Sequence, residues 1–451
     1  MEYAVLFFFC LSIAFPIIHS FNCLPLFKKR KKRYRPKPIF EKSVSVLIPC
    51  YNEEKIIATS VENMKTLTYS SLEIIYINDG STDATLGKLN ELLKLKESSK
   101  LPLNHLKHKK VIEFYKSELY PNIYVLDKTN GGKADALNAG IEYSSNELVV
   151  TLDADTIMTD HSLPAINETF EEQNVVAAGG MVHVLQTKTK NPFSGLTLRG
   201  TNLLIRAQAL DFLRAFYITK VSHARFGALS IISGAFGIFR KQVLLSVGGY
   251  RTTIGEDIDI TLKIQRHISG DKNKKVTFIP DAVCYTELPE NLWDLFKQRV
   301  RWQKAFIDCV IHFRSFLGKN LFTSSVSFFY IFEAFISGTL AVYFMTSIFV
   351  VDGFALHSSV LEYVLIYVLY IFIFGLVYDM VAIGMGEYHG YAFQEKDTYP
   401  LLATILFDIF IFRIVTMVCV AYGSIAYFFN RDWNKVSRTG REYQADSRPA
   451  A

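Results

Sequence analysis

Between residues 36 and 317 the chain has no apolar run long enough to cross a bilayer, whereas four such runs lie outside that window. They cover residues 3–26, 326–351, 361–383 and 401–429. A hydrocarbon core of about 30 Å needs roughly 20 apolar residues per helix, so the pattern predicts a water-facing middle bracketed by membrane helices. The composition agrees: 50% of the 451 residues are hydrophobic and 14% aromatic, more than a soluble chain of this size needs. The first run is followed by its charge. Seven basic residues (Lys28, Lys29, Arg30, Lys31, Lys32, Arg33 and Arg35) come after it, while Met1-Glu2-Tyr3 precedes it. A cleaved signal peptide would carry the opposite order, so an uncleaved anchor with its N-terminus outside is expected.

That cluster also accounts for the formal net charge of +6, since the rest of the chain is close to neutral. A local basic stretch beside an apolar segment suits anionic lipid, and no nucleic-acid partner is expected. One anchor plus three spans puts the C-terminus outside, yet Arg431, Lys435, Arg438 and Arg441 favour the inside. An interfacial stretch or a further crossing would reconcile the two. The six cysteines show neither paired spacing nor a nearby paired-histidine pattern, which argues against a zinc motif or a disulfide framework and for buried thiols.

Within the middle region, residues 44–49, 72–78, 122–127 and 148–153 read as short β-rich runs, and helical patterns follow over 54–65, 81–96 and 131–143. Alternation of this kind predicts a mostly parallel sheet, and ligands of such sheets bind beyond the carboxyl ends of the strands. Four polar clusters fall there. In Pro49-Cys50-Tyr51-Asn52-Glu53-Glu54, Asn52 is placed to cap a helix opened by two acids. In Asn78-Asp79-Gly80-Ser81, Asp79 can accept from an N–H donor such as a base edge, although a plain Asx turn explains the residues as well. Gly131-Gly132-Lys133 brings backbone N–H groups and a cation to a helix start, either a diphosphate cradle or a structural start. In Asp153-Ala154-Asp155, strand alternation puts both carboxylates on one side, where hard oxygens suit Mg²⁺ or Mn²⁺. A second such pair, Asp257 and Asp259, shows how weak the bare pattern is.

Later, Gly255-Glu256-Asp257 opens another helical pattern. Acids there are favoured by the helix dipole alone, but one carboxylate near a reacting hydroxyl also serves as a general base, and Asp257 is the candidate. Residues 292–313 mix apolar and basic side chains at helical spacing, as an interfacial helix does. Gln298, Arg301 and Trp302 stand at i, i+3 and i+4 on one of its faces.

Taken in order, Ile-Pro-Cys-Tyr-Asn-Glu (48–53), Asn-Asp-Gly-Ser (78–81), Gly-Lys-Ala-Asp-Ala-Leu-Asn (132–138), Leu-Asp-Ala-Asp-Thr (152–156), Gly-Glu-Asp (255–257) and Gln-Arg-Val-Arg-Trp (298–302) resemble the family 2 inverting glycosyltransferases. Within them the likeness is to the membrane synthases of poly-N-acetylglucosamine, hyaluronan, chitin and cellulose. The resemblance implies an α/β GT-A-type nucleotide-sugar domain with a mostly parallel sheet, joined to transmembrane α-helices. It implies Asp79 and Asp153 on the uridine, Lys133 on the diphosphate, Asp155 on Mg²⁺ or Mn²⁺, and Asp257 as base. Gln298, Arg301 and Trp302 would close over donor and acceptor, and Gly234, within Ser233-Gly234-Ala235-Phe236-Gly237, belongs to an acceptor-binding stretch. Two departures stand out: Gly255 where the family commonly has threonine, and no arginine in Gly179-Gly180-Met181-Val182-His183-Val184, which leaves the sugar open.

The expected layout is an anchor (1–27), a basic linker (28–42), a cytosolic catalytic domain (43–290), an interfacial helix region (291–320), three C-terminal membrane helices (321–430) and a polar tail (431–451). The expected reaction transfers N-acetylglucosamine from a UDP-sugar to a growing polysaccharide at the cell membrane, with membrane lipid around the helices. Regulation by a soluble ligand would call for a small accessory membrane subunit. Transfer of a single sugar to a lipid carrier is the alternative within the fold, and an inactive scaffold of a secretion complex is the alternative outside catalysis.

Overall fold

The computed structural model describes residues 2–25, 41–188, 196–271, 273–344 and 358–430. The basic cluster 28–35, the polar tail and residues 345–351 of one apolar run lie outside them. The chain divides into two units. One is built from the described parts of 41–185 and 231–287, and the other from those of 2–25, 186–230 and 288–430.

The first unit holds a ten-stranded sheet. Its strands are β1 (Val44–Cys50), β2 (Leu72–Asp79), β3 (Leu95–Glu97), β4 (Val111–Ser117), β5 (Ile123–Lys128), β6 (Leu148–Leu152), β7 (Ile157–Met158), β8 (Val175–Val184), β9 (Phe236–Arg240) and β10 (Lys275–Thr286). Their spatial order is β3-β4-β5-β2-β1-β6-β9-β8-β10-β7. The four strands read from the apolar runs form a contiguous parallel core, β5-β2-β1-β6. The sheet as a whole is mixed: β3, β4, β7 and β9 join antiparallel, in segments where the sequence showed no strand pattern.

Strands covered on both faces lose the apolar–polar alternation and become continuously apolar. Val44, Val46, Leu47 and Ile48 of β1 and Ile74, Ile75, Tyr76 and Ile77 of β2 are fully buried. Each such aliphatic side chain contributes about 1.5–3 kcal/mol of transfer free energy. Helices Ile57–Thr66, Thr85–Leu93 and Lys133–Tyr143 follow β1, β2 and β5. The crossovers leave the polar loops at the carboxyl ends of the parallel strands, which is where the motifs lie.

The second unit is helical. Helix Glu2–Cys23 occupies the first apolar run, and Ser325–Phe344 and Glu395–Phe429 are long and apolar enough to cross a membrane. Between them in sequence runs Ser358–Tyr388, 31 residues long. The amphipathic segment forms helix Leu292–His312, capped by the Asn291 side chain, which accepts from the Asp294 N–H at 2.9 Å.

Charge is buried among these helices. Arg214 donates to Asp379 at 2.5 Å and to both oxygens of Asp408 at 2.7 and 2.9 Å, and Arg413 donates to Asp408 at 3.0 Å. Asp379 and Asp408 have no exposed surface. Arg214 and Asp408 each open a π-helical turn, the widened geometry that often marks functional positions in helices.

Candidate active site

The loops after β2 and β5 form one construction around Asp79. Its carboxylate, 2% exposed, accepts from the backbone N–H groups of Gly131 at 3.0 Å and Gly132 at 2.7 Å and from Lys128 Nζ at 2.6 Å. Asn130 Nδ2 donates to the Asp79 carbonyl at 2.8 Å. Asp79 thus ties the glycine loop to the end of β2, a use of this carboxylate that the sequence did not reveal.

Lys128, with no exposed surface, also lies 2.6 Å from Asp135 in the first turn of the next helix. This buried cation was not singled out in the sequence, because a lysine closing a strand reads as solvated.

Gly132 has φ +87° and ψ 166°, a conformation essentially confined to glycine. A Gly132→Ala change is expected to cost about 1–3 kcal/mol of strain in the loop, and calorimetric titration with nucleotide diphosphate should show weakened binding. Unchanged affinity would remove the loop from the donor site.

Asn52 also differs from expectation. Helix Ile57–Thr66 begins after Ile56 without a side-chain cap. Asn52, at φ 55°, instead accepts the Thr82 N–H at 2.8 Å and donates its own N–H to Ser81 Oγ at 3.0 Å. It pins the first loop to the second.

Past β6 the chain turns at once, with the Thr156 N–H donating to the Asp153 carbonyl at 3.0 Å and Ala154 buried. The strand stops at Leu152, so this turn, not strand alternation, places Asp153 and Asp155, both half-buried. Asp153 receives Lys133 Nζ at 2.7 Å.

Lys133 joins the motifs of this unit. Besides Asp153, its ammonium lies 3.1 Å from Glu256 and donates to the Gly234 carbonyl at 3.3 Å. Burial by itself would lower its pKa, but Asp153, Glu256 and Asp257 outweigh burial and hold it above the usual lysine value. Burial raises the Glu256 carboxyl, Lys133 opposes and the neighbouring Asp257 adds to the rise; the net direction is upward. Helix Glu256–Ile268 starts at Gly255 without a side-chain cap. Asp257 Oδ2 accepts the Gly234 N–H at 3.2 Å and Oδ1 accepts the Ile258 N–H at 2.8 Å. Among the described residues Asp257 makes no ion pair, whereas Asp259 is fully buried and paired with Arg251 at 2.6 Å. The second Asp-x-Asp is thereby divided, with one carboxylate at the cleft and one structural.

Gly234 leaves little room: a Cβ there would lie 2.9 Å from Lys133 Nζ and 3.5 Å from Glu256 Oε1. Tyr250 closes the cleft alongside Lys133, Glu256 and Asp257, its phenol pushed up by burial. Asn138 exchanges hydrogen bonds with the Tyr250 backbone at 2.8 and 2.9 Å, a use of the end of the 132–138 motif that the sequence did not reveal. Asp153, Lys133, Gly234, Glu256 and Asp257 thus converge from four separate segments. Asp153 and Glu256 of this set face the Lys133 ammonium, and Asp155, in the same turn as Asp153, offers hard carboxylate oxygens of the kind a divalent ion prefers.

In the helical unit, helix Leu292–His312 carries Gln298, Arg301 and Trp302. Trp302 is 38% exposed, and the Arg299 guanidinium stacks 4.6 Å from its ring centre while pairing with Asp211 at 2.8 Å. Gln298 Oε1 is buried and accepts no hydrogen bond among the described residues. A buried acceptor left unmet costs about 1–3 kcal/mol, which an incoming O–H or N–H would offset.

Comparison with known proteins bears on these motifs. The model of "Glycosyl transferase family 2" matches residues 45–248, and that of "Glycosyl transferase family group 2" matches residues 148–381, more than half of the chain. A poly-beta-1,6-N-acetyl-D-glucosamine synthase of Staphylococcus aureus is 32% identical over 265 residues, 58% of this chain and 54% of the relative. The enzyme of the same name from Staphylococcus epidermidis is 31% identical over 264 residues, with the same coverage. The chain thus spans 54% of the length of the curated relatives it matches. Among solved structures, a mannosyltransferase from Pyrobaculum calidifontis in complex with GDP-Man and Mn²⁺ superposes with a TM-score of 0.47 at 18% identity, covering 84% of this chain and 97% of that one.

Proposed function

The chain belongs to glycosyl transferase family group 2, and on that premise we propose that it transfers N-acetylglucosamine from a UDP-sugar to a growing polysaccharide, inverting the anomeric centre. The observation that carries this is the convergence of Lys133, Asp153, Gly234, Glu256 and Asp257 on one cleft. The proposed layout keeps residues 43–290 cytosolic and the bracketing helices in lipid. The polymer reading, and the sugar, draw on the synthases from the two Staphylococcus species.

In this reading the 130–132 loop, held by Asp79, offers N–H groups and Lys133 offers an ammonium to the diphosphate. Asp153 orients that ammonium and flanks the uridine, Asp155 holds a divalent ion, and Asp257 takes the proton of the acceptor hydroxyl. Mg²⁺ or Mn²⁺, held by Asp155, would supply positive charge to offset that of the departing diphosphate. Gln298 offers its unmet carbonyl to a sugar hydroxyl, Trp302 a flat ring to a sugar face and Arg301 a cation to a phosphate.

Membranes containing the protein, given radiolabelled nucleotide-sugars with Mg²⁺ or Mn²⁺, should convert UDP-N-acetylglucosamine into a long polymer on sizing. A single-sugar lipid product would move the function to lipid glycosylation. No donor consumption would favour a scaffold, or dependence on an accessory subunit. Asp155→Asn is expected to reduce turnover on the order of 100-fold and to weaken the dependence of turnover on added metal; an unaltered metal titration would remove Asp155 from that role.

A further inference from the structure

Three helices of the second unit bring two imidazoles and one carboxylate to a point. His19 lies on helix Glu2–Cys23, His223 near the end of the helix that begins at Leu203, and Glu333 on Ser325–Phe344. His19 Nε2 is 3.0 Å from Glu333 Oε1 and His223 Nε2 is 2.7 Å from Glu333 Oε2. One ligand atom from each lies within 4.8 Å of the others, and this is the only such grouping of three or more His, Cys, Asp or Glu among the described residues. We propose that His19, His223 and Glu333 form a binding site for a divalent transition metal, with Zn²⁺ as its natural class, separate from the phosphate-bridging ion of the sugar-transfer site.

Several features fit a metal. Imidazole nitrogens with one carboxylate suit zinc better than Mg²⁺, which prefers oxygen alone. Tetrahedral coordination at about 2.0–2.1 Å puts neighbouring ligand atoms about 3.3 Å apart; the two histidine–Glu333 contacts at 3.0 and 2.7 Å would open slightly to reach it, and the remaining pair, within 4.8 Å, would draw together. The other ring nitrogen of His19 is held: Nδ1 lies 2.7 Å from Ser222 Oγ, and that hydroxyl receives Asn22 Nδ2 at 2.9 Å. A hydrogen bond at the far nitrogen is the usual device for orienting a metal-ligating imidazole and fixing its tautomer. Apolar packing surrounds the group, with Phe15, Ala228 and Phe329 buried together and Leu11 and Phe332 against them. A carboxylate placed there is costly unless a cation faces it.

A purely hydrogen-bonded tie would use the same atoms with the His19 tautomer reversed, Nε2–H toward Glu333 and Nδ1 accepting from Ser222. The two differ in whether the Nε2 lone pair points at the carboxylate group's neighbour or a proton occupies it, and metal content reads that difference directly. Bound metal would clip the N-terminal helix to the other two, a structural role with three ligands supplied by protein.

The test uses the full chain purified in detergent, stripped with chelator, loaded with Zn²⁺ and desalted, with metal measured by mass spectrometry. Wild type should retain about one equivalent, as should Asp155→Asn. His223→Gln and Glu333→Gln should lose at least nine-tenths of it, and Ser222→Ala should weaken Zn²⁺ affinity by about 10–100-fold. Co²⁺ loaded into wild type should give the visible absorption of a tetrahedral nitrogen–oxygen site, which keeps the test decisive if a histidine variant does not fold. Wild type free of zinc after desalting, equal retention by the variants, loss in Asp155→Asn alone, or an octahedral Co²⁺ spectrum would each overturn the proposal.

Discussion

Asp257→Asn is expected to lower sugar transfer by about 10²–10⁴-fold while leaving donor affinity within a few-fold, the range that removal of a general base produces. The side chain contacts the backbone on both sides, Gly234 N–H on one oxygen and Ile258 N–H on the other. An amide retains one acceptor and turns an NH₂ toward the other N–H, a mismatch costing about 1–3 kcal/mol. That cost falls on the folded protein, so unfolding should be measured beside the rates. Glu256→Gln is the informative partner, because Glu256 is committed to Lys133. Single-turnover transfer and calorimetric donor binding separate the two residues. If Asp257→Asn transfers normally while Glu256→Gln does not, the base is Glu256.

Lys128→Met should destabilise the sheet unit by about 3–5 kcal/mol, because removing one member of a buried ion pair leaves its partners uncompensated. Here the partners are two carboxylates, Asp79 and Asp135, each 2.6 Å from the ammonium. Methionine fills the space of the lysine stem but returns neither the charge nor the bond to the Thr129 carbonyl at 2.7 Å. Denaturant unfolding in detergent should show the loss. The combined variant Lys128→Met/Asp79→Asn/Asp135→Asn should recover only part of it: neutralising the set removes the uncompensated charge, but the amide at position 79 turns an NH₂ toward one glycine N–H. Donor binding should not recover, because the glycine loop needs a full carboxylate at position 79 to accept two backbone N–H groups. An unshifted midpoint for the single variant would show that the cluster contributes nothing to stability.

The parallel core was legible because its strands are short, apolar and bounded by turn residues; β1, β2, β5 and β6 each fall within two residues of the expected limits. β8 escaped because Gly179 and Gly180 blunt any strand signal. The structure explains the second glycine: a Cβ at Gly180 would lie 2.2 Å from the Phe236 ring of the neighbouring strand. Of the antiparallel strands, β3 and β7 escaped because three and two residues are too few to show a period. At the cleft, residue identities were legible and their uses less so. Asp153, Lys133, Gly234 and Asp257 converge, but Asp79 ties the glycine loop to the end of β2 and Asn52 joins two loops where a helix cap was expected. Carboxamides and carboxylates serve caps, turns and ligands with the same atoms, and only three-dimensional partners separate these roles.

The buried pairing of Arg214 with Asp379 and Asp408 also bears on how the protein is made. A fully buried carboxylate is costly unless a cation faces it, and helix Ser358–Tyr388 brings Asp379 and helix Glu395–Phe429 brings Asp408 to that position. Synthesis runs from the N-terminus, so Arg214 leaves the ribosome before either aspartate. The guanidinium is thus made before the carboxylates it receives, and packing of the two later helices is expected to depend on it. A chain with leucine at position 214 is expected to meet its fault while it folds, as early degradation, before any sugar could be offered to it.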